Sequence, residues 1–327
     1  ASVLVTAGAD DGIDRSCRVA RDLGDTLLMP RPGFEMFERY ARLAGSQVVE
    51  FDWTEGGFPV DAVLELANRQ TGAIAVISPN NPTGLAASAE EVRRLARAVP
   101  DTLVIVDAAY AEFADDDLTP LALECDNVVA LRSFSKAWGL AGARVGYAVG
   151  SCQWIERLRA AGPPYAVSGV SLGIAGAALR SAEGSMRDHV TTVRAERDLL
   201  ASELRVLGAD PLPSQANFVL ARFADADRVW EDLQALGIAV RRWTERPELA
   251  GCLRIVCPGN SRDFARLVSA LRTVLRPEAL LLDMDGVIAD ESLSYRETII
   301  QTAASFGVQT DRGEIRALKA SGGMNND

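Results

Sequence analysis

The stretch Val128-Val129-Ala130-Leu131-Arg132-Ser133-Phe134-Ser135-Lys136-Ala137-Trp138-Gly139-Leu140-Ala141-Gly142-Ala143-Arg144 decides how this chain is read. An apolar run leads into a lysine set among small hydroxyl residues, and an arginine follows eight residues later. An amine at the end of a strand suits Schiff-base chemistry with a carbonyl. The hydroxyls of Ser133 and Ser135 and the guanidinium of Arg144 suit a phosphate. A ligand carrying both groups would use all four side chains. By itself a Ser-x-Ser-Lys run is weak, because most lysines are solvated surface charges, so the flanking segments matter.

Working outward, Ala73-Ile74-Ala75-Val76-Ile77 runs into Ser78-Pro79-Asn80-Asn81-Pro82-Thr83-Gly84, an apolar strand ending in a turn-rich loop. Leu103-Val104-Ile105-Val106-Asp107-Ala108-Ala109-Tyr110 is a second buried strand with an acid at its carboxyl end. Ligands of parallel α/β sheets sit outside the carboxyl ends of strands, where all three segments place polar side chains. Val3-Leu4-Val5-Thr6-Ala7-Gly8-Ala9-Asp10-Asp11-Gly12-Ile13 reads as strand, glycine-bearing turn and helix, and free amides at a helix N-terminus hold anions. Strands alternate with helical stretches such as 89–99, the pattern of a mostly parallel sheet. Gly162-Pro163-Pro164-Tyr165 breaks the order, and a helical run over roughly 171–207 follows. The expected fold is α/β: a large domain over 1–207 built on a three-layer, mostly parallel sheet, a smaller α/β domain over 208–276, and a separate segment over 277–327. The small domain's expected strands are 218–221 and 253–256, with helices near 226–236 and 261–274.

These elements, in this order, resemble the fold-type I, aspartate-aminotransferase-like enzymes. Within them the chain is similar to the histidinol-phosphate aminotransferase family, through Gly8-Ala9-Asp10-Asp11-Gly12-Ile13, Pro32-Gly33-Phe34-Glu35-Met36-Phe37, Asn80-Asn81-Pro82-Thr83-Gly84 and Cys252-Leu253-Arg254-Ile255. The resemblance covers roughly residues 1–275. It implies pyridoxal 5'-phosphate as cofactor, carried by Lys136 as a Schiff base, with Lys136 later shuttling the substrate proton. It implies that Asp107 pairs with the pyridine nitrogen, that Asn81 and Tyr110 hydrogen-bond the ring's phenolic oxygen, and that Phe34 stacks on the ring face. Ser133, Ser135, Arg144 and the backbone amides of Ala9 and Asp10 would hold the cofactor phosphate. Arg254 would clamp the anionic group of the substrate, with Arg241 in Gly237-Ile238-Ala239-Val240-Arg241 as a second cation nearby. Each position has a plainer rival. Asp107 suits a helix cap, Phe34 suits the core, and Arg144, Arg241 and Arg254 suit surface ion pairs.

Of the chain's 327 residues, 48% are hydrophobic, enough for two domains with cores. The net charge of −11 disfavours binding to nucleic acid or anionic membranes. Cys17, Cys125, Cys152, Cys252 and Cys257 are odd in number and lack a CxxC, which fits thiols of a reducing compartment. The single histidine, His189, lies in a polar helical run and is expected to be solvated; one histidine argues against triads and metal cages. No segment reaches the ~20 apolar residues of a membrane helix, no secretory signal is evident, and the cytoplasm is the expected address.

Both ends add expectations. Ala1 stands one residue before the first strand, whereas the family carries an N-terminal arm ahead of it that covers the substrate, so a fragment or a lost arm is expected. At the other end, Ala279-Leu280-Leu281-Leu282-Asp283-Met284-Asp285-Gly286-Val287 resembles the first motif of haloacid-dehalogenase-type phosphatases. Asp283 would then be the nucleophile and Asp285 the acid/base, with Mg²⁺ only in a complete domain. The plainer rival is an aspartate pair closing a strand. The sequence stops at Asp327 before the later motifs, so this stub is not expected to work as a phosphatase.

The resemblance implies amino transfer from L-glutamate, leaving 2-oxoglutarate, to a phosphorylated imidazole compound, imidazole-acetol phosphate, in L-histidine biosynthesis. A homodimer is implied as well. The alternatives are threonine-phosphate decarboxylase, a broad-range class I/II aminotransferase, and a non-catalytic module that binds the cofactor.

Overall fold

The computed structural model describes residues 2–276 and 291–322; Asp283 and Asp285 lie outside the described residues. The chain divides into two compact units, Ala1–Arg276 and Pro277–Asp327. In the first, strand β1 (Ser2–Thr6) feeds helix α1 (Gly8–Ala20), and β2 (Thr26–Arg31) feeds α2 (Glu35–Leu43). There follow β3 (Gln47–Asp52), α3 (Val60–Leu66), β4 (Thr71–Ile77) and α4 (Ala89–Ala98). Next come β5 (Leu103–Asp107), α5 (Leu121–Glu124), β6 (Val128–Ser133) and β7 (Gly146–Gly150). The strands form one seven-stranded sheet in the order β1-β7-β6-β5-β4-β2-β3. Only β7 runs against its neighbours, pairing antiparallel with β1 and β6.

Every residue of β4, β5 and β6 is buried, so these near-continuous Val/Ile/Ala/Leu runs form the middle of the sheet. Successive side chains of a strand point to opposite faces, and the core splits accordingly. Ile74, Val76, Val104 and Val106 pack toward α3, α4 and α5, while Ala73, Ala75, Leu103 and Ile105 pack toward α1 and α2. Helix α4 starts at a capping box: Ser88 accepts from the Glu91 amide, and Glu91 accepts from the Ser88 amide. With helices on both faces, polar groups of the strand ends find room only beyond the carboxyl edge.

The buried Arg132 pins that edge. Its guanidinium pairs with Glu112 at 2.8 Å and Asp117 at 2.9 Å, tying the turn after Tyr110 to the end of β6. Removing one member of a buried pair leaves an uncompensated charge, so this clamp fixes Tyr110 relative to Ser133.

Beyond β7, α6 (Cys152–Ala160) is followed by α7 (Gly169–Ser181) and α8 (Glu183–Val206). The long run expected over 171–207 is therefore two helices, interrupted at Ala182 with φ −114° and ψ 5°. Alanine itself is the best helix former, so the only local signal is the weak one of Ser181 and the Gly184-Ser185 pair beside it. The rest of this unit is β8 (Asp210–Pro211), β9 (Phe218–Arg222), α9 (Ala226–Ala235), β10 (Arg241–Arg242), β11 (Cys252–Val256) and α10 (Ser261–Leu275). These strands make an antiparallel sheet ordered β10-β11-β9-β8. Phe218, Val229, Leu233, Leu253 and Leu271 bury its apolar face with Leu200 and Leu204 of α8.

His189 differs from its solvated expectation. It is half-buried, edge-on to Phe113 at 6.5 Å, and a Cβ at Gly259 would sit 2.2 Å from its Cε1. Its cover comes from chain far away in sequence, which a helical pattern does not reveal. Among the cysteines, Cys17, Cys252 and Cys257 are buried, Cys125 is half-buried and Cys152 is exposed. Burial pushes the thiols of Cys17 and Cys257 up to about 12. In the second unit, α11 (Glu291–Ser305) and α12 (Arg312–Gly322) are joined by an Arg312–Glu297 ion pair at 3.2 Å.

Candidate active site

Four chain segments end at the same place. The N-terminus of α1, the Asn80–Gly84 loop after β4, the end of β5 and the residues after β6 meet at the carboxyl edge of the sheet. There they enclose a cavity of about 140 Å³. All ten residues expected to bind the cofactor line it, from Ala9, Asp10 and Phe34 through Asn81, Asp107 and Tyr110 to Ser133, Ser135, Lys136 and Arg144.

Lys136 is half-buried, and its Nζ lies 5.0 Å from the centroid of the Tyr110 ring. Tyr110 in turn packs edge-on against Phe218 at 5.4 Å, so β9 of the small sheet buttresses the lysine's support. Asp107 is 5% exposed and accepts a 3.1 Å hydrogen bond from the Ala109 amide. Burial raises its carboxyl to about 6; the Ala109 N–H pulls the other way, Asp10 adds to the rise, and Lys136 opposes it. Among the described residues Asp107 has no ion-pair partner. A buried acid of this kind suits a cation brought in by a ligand.

At the other end lie the anion-binding groups. Arg144 adopts the left-handed backbone conformation (φ 51°, ψ 53°) and reaches back over the start of α1. Its Nη2 donates to Asp10 at 2.9 Å, and its Nη1 donates to Ser135 Oγ at 3.4 Å. Ser133 Oγ accepts from the Ser135 amide at 3.0 Å, which sets the turn carrying Lys136. The expectation used only the backbone of Asp10; the structure adds its carboxylate as the partner of Arg144. Gly8 allows this approach, since its φ is +81° and a Cβ there would lie 2.8 Å from Arg144 Nη2. Gly8→Ala is therefore expected to cost about 1–2 kcal/mol of backbone strain and to displace Arg144. A fluorescence titration of pyridoxal phosphate would show affinity lowered ~10-fold or more; unchanged affinity would contradict this account of the anion end.

A second cavity, about 240 Å³, shares Phe34 and Asn81 with the first and gathers Arg241, Arg246, Arg254 and Trp243. Arg254 donates through Nη1 to Asn81 Oδ1 and lies over the Phe218 ring at 4.9 Å. Its buried Nε has no hydrogen-bond partner among the described residues. Burial lowers the pKa of this guanidinium, and Arg241 lowers it further, against an opposing pull from Tyr110. Arg241 is exposed, its guanidinium 5.7 Å from the Trp243 ring. The expectation missed Trp243 and Arg246, whose only sequence signal is their place between Arg241 and Arg254. It also missed Asn80, fully buried, whose amide donates to the Pro32 carbonyl at 2.8 Å and to Thr83 at 3.0 Å, holding the loop that presents Asn81. A larger cavity of about 450 Å³, bounded by Thr54, Arg222 and Glu248, holds none of the lysine, tyrosine or serine groups. The chemistry is assigned to the smaller pair.

Among the described residues no group of His, Cys, Asp and Glu side chains could hold a metal ion, and no helix is long and apolar enough to cross a membrane.

The model for the family "Aminotransferase class I and II" matches residues 1–271. The chain belongs to the class I and II aminotransferases. Histidinol-phosphate aminotransferase from Halorubrum lacusprofundi is 40% identical to it over 246 residues, 74% of this chain and 66% of that protein. The enzyme of that name from Caldanaerobacter subterraneus is 34% identical over 278 residues, 84% of this chain and 78% of that protein. The chain thus spans about two thirds of the first relative and over three quarters of the second. Among solved structures, histidinol-phosphate aminotransferase from Sinorhizobium meliloti, in complex with pyridoxal-5'-phosphate, superposes with a TM-score of 0.76 at 26% identity, covering 85% of this chain and 77% of that one. This aminotransferase has a large mixed α/β domain and a smaller C-terminal α/β domain, the architecture of that group. Its first cavity fits pyridoxal phosphate on the chemistry of its donors: a primary amine, a buried carboxyl without an ion-pair partner among the described residues, and a guanidinium held by the Ser135 hydroxyl and the Asp10 carboxylate at a helix N-terminus.

Proposed function

We propose that this pyridoxal-phosphate-dependent aminotransferase moves an amino group between L-glutamate and imidazole-acetol phosphate, forming L-histidinol phosphate and 2-oxoglutarate. The observation that carries it is the pairing of the two cavities. One holds Lys136 beside Asp107 and Tyr110, and the other holds three guanidiniums and shares Asn81 with the first. The relatives at 40% and 34% identity, both histidinol-phosphate aminotransferases, support the substrate class.

When bound, pyridoxal phosphate supplies the carbonyl and the electron sink. The chain's own residues do the rest. The Lys136 Nζ would take the proton from the substrate Cα, holding it as the ammonium, and in the reverse half would give it back to the Cα of the other substrate. Asp107, held by the Ala109 amide, would serve as the counter-charge for a protonated ring nitrogen. Asn81 Oδ1 is already committed to Arg254, which leaves its Nδ2 to donate to the ring oxygen beside the Tyr110 hydroxyl. Phe34, which lines the cavity, would cover the ring face. Ser133, Ser135, Arg144 and the amides of Ala9 and Asp10 hold the phosphate. Arg254 binds the substrate's anionic group, with Arg241 as the second cation.

We assign residues 1–207 to the large domain and 208–276 to the small one. Supporting a homodimer, Tyr165 is 98% exposed and Val170, Leu172, Ile174 and Leu179 leave α7 with an uncovered apolar surface; the cytoplasm is where we place it. The haloacid-dehalogenase-like reading of 277–327 is supported only by sequence, the Asp283-Met284-Asp285-Gly286-Val287 run followed by Ser294-Tyr295-Arg296 and a helical stretch.

The test is turnover of L-histidinol phosphate with 2-oxoglutarate, read as glutamate formed, beside L-threonine phosphate read as CO₂ released. Glutamate formation with kcat/KM at least ~100-fold above any decarboxylation is the expected result. Release of CO₂ without glutamate would replace amino transfer by decarboxylation.

A further inference from the structure

Of the three guanidiniums in the 240 Å³ cavity, two carry expected roles and Arg246 has none. It lies on the loop between β10 and β11, at the start of the short turn Pro247–Leu249, and is half-buried. Its Nη1 donates to the Gly33 carbonyl at 3.0 Å, one residue before Phe34, and this bond fixes the head group at the cavity wall. The nearest acid is Glu248, whose Oε1 lies 4.0 Å from the Arg246 Nε, the outer limit of an ion pair. Among the described residues Glu35 is the one carboxylate that lines the cavity, and it is exposed. The cavity therefore carries a surplus of positive charge, more than one carboxylate needs.

We infer that Arg246 is a specificity-determining residue that recognises the second negative charge of a phosphate at the substrate's far end, distinguishing a phosphate monoester from a carboxylate. This deepens the function proposed above and rests on it for the substrate class. A carboxylate brings one charge, whereas a phosphate monoester brings about −1.5 to −2 near neutral pH. Arg254 is already bonded to Asn81 at the cofactor side, and Arg241 is exposed, where solvent screens its charge. Arg246, with a side chain 19% exposed, acts through less water, so its interaction with a dianion is stronger. Its fixed planar fork adds geometry that suits phosphate oxygens.

The experiment is calorimetric titration of the holoenzyme with inorganic phosphate and, separately, with glutarate, a dicarboxylate that cannot react. Wild type, Arg246→Gln and Arg246→Lys are compared at pH 6 and pH 8. Arg246→Gln is expected to raise the phosphate Kd on the order of 10-fold while changing the glutarate Kd less than about 3-fold. In wild type, phosphate affinity rises between the two pH values as the second proton leaves. That rise flattens in Arg246→Gln and returns in Arg246→Lys, which restores charge without the fork. A purely structural loss of the Gly33 tether would weaken both ligands and leave the pH profile unchanged. Equal losses for phosphate and glutarate, or an unchanged phosphate Kd, would overturn the inference. An enzyme that binds phosphate through Arg246 yet does not turn over L-histidinol phosphate upholds it and defeats the function proposal instead.

Discussion

Lys136→Ala is expected to retain the fold and lose amino transfer by a factor on the order of 10⁴ or more, the largest effect of any single substitution here. The lysine's Nζ lies in the cavity above the Tyr110 ring, beside the groups assigned to the cofactor phosphate. Among the described residues no neighbouring side chain supplies a second amine: the other cations lining the two cavities are guanidiniums, which do not give up a proton near neutral pH. The covalent tether and the proton carrier are thus lost together. Stability should change by only ~1 kcal/mol, because the half-buried amine contributes one cation–π contact. An absorbance spectrum with added pyridoxal phosphate would lack the visible band of a lysine-linked cofactor, while the Tm would stay close to wild type. Residual turnover within ~100-fold of wild type would mean that another group moves the proton, and the assignment of Lys136 would fail.

Asp107→Asn should separate activity from stability. The carboxyl is held at about 6 by burial, above its ordinary value of 3.8. Above pH 6 it is ionised in both the folded and the unfolded chain, and only the folded chain carries the cost of burying the charge. As pH falls through about 6 the folded state takes up a proton that the unfolded state does not yet bind, so stability rises, levelling off below 3.8. At ~1.4 kcal/mol per pKa unit, the whole window amounts to about 3 kcal/mol. The neutral amide avoids this cost and still accepts from the Ala109 amide. Cofactor-free Asp107→Asn should therefore melt above wild type at pH 7.5, and the gap should narrow at pH 5. Activity moves the opposite way, falling on the order of 10³-fold, because an amide does not supply the counter-charge for a protonated ring nitrogen. Thermal melts at the two pH values, with and without pyridoxal phosphate, test both halves. A cofactor-free variant no more stable than wild type at pH 7.5 would contradict the burial account.

Much of the scaffold is legible in local pattern. The runs ending at Ile77, Asp107 and Ser133 are wholly apolar except at their ends, and a strand buried on both faces requires that composition. Since ligands of such sheets sit outside the carboxyl ends of the strands, the same runs point to Asn81, Asp107, Tyr110 and Lys136 as neighbours. The break at Ala182 has only the weak signal of Gly184-Ser185 beside it, and the cover over His189 has none. An alanine favours the continuous helix, and the Phe113 ring lies on a segment that composition does not link to α8.

What the chain's order alone determined is therefore the kind of sheet, the edge on which a ligand sits and the reactive groups presented there. These follow from burial along each strand, a property of a few adjacent residues. Only the tertiary structure decided which polar groups meet: the guanidinium of Arg144 with the Asp10 carboxylate, that of Arg254 with the Asn81 amide oxygen and that of Arg246 with the Gly33 carbonyl, pairs separated by 134, 173 and 213 residues. Contacts at such separations depend on how the two sheets and their helices pack, and no local periodicity encodes that closure.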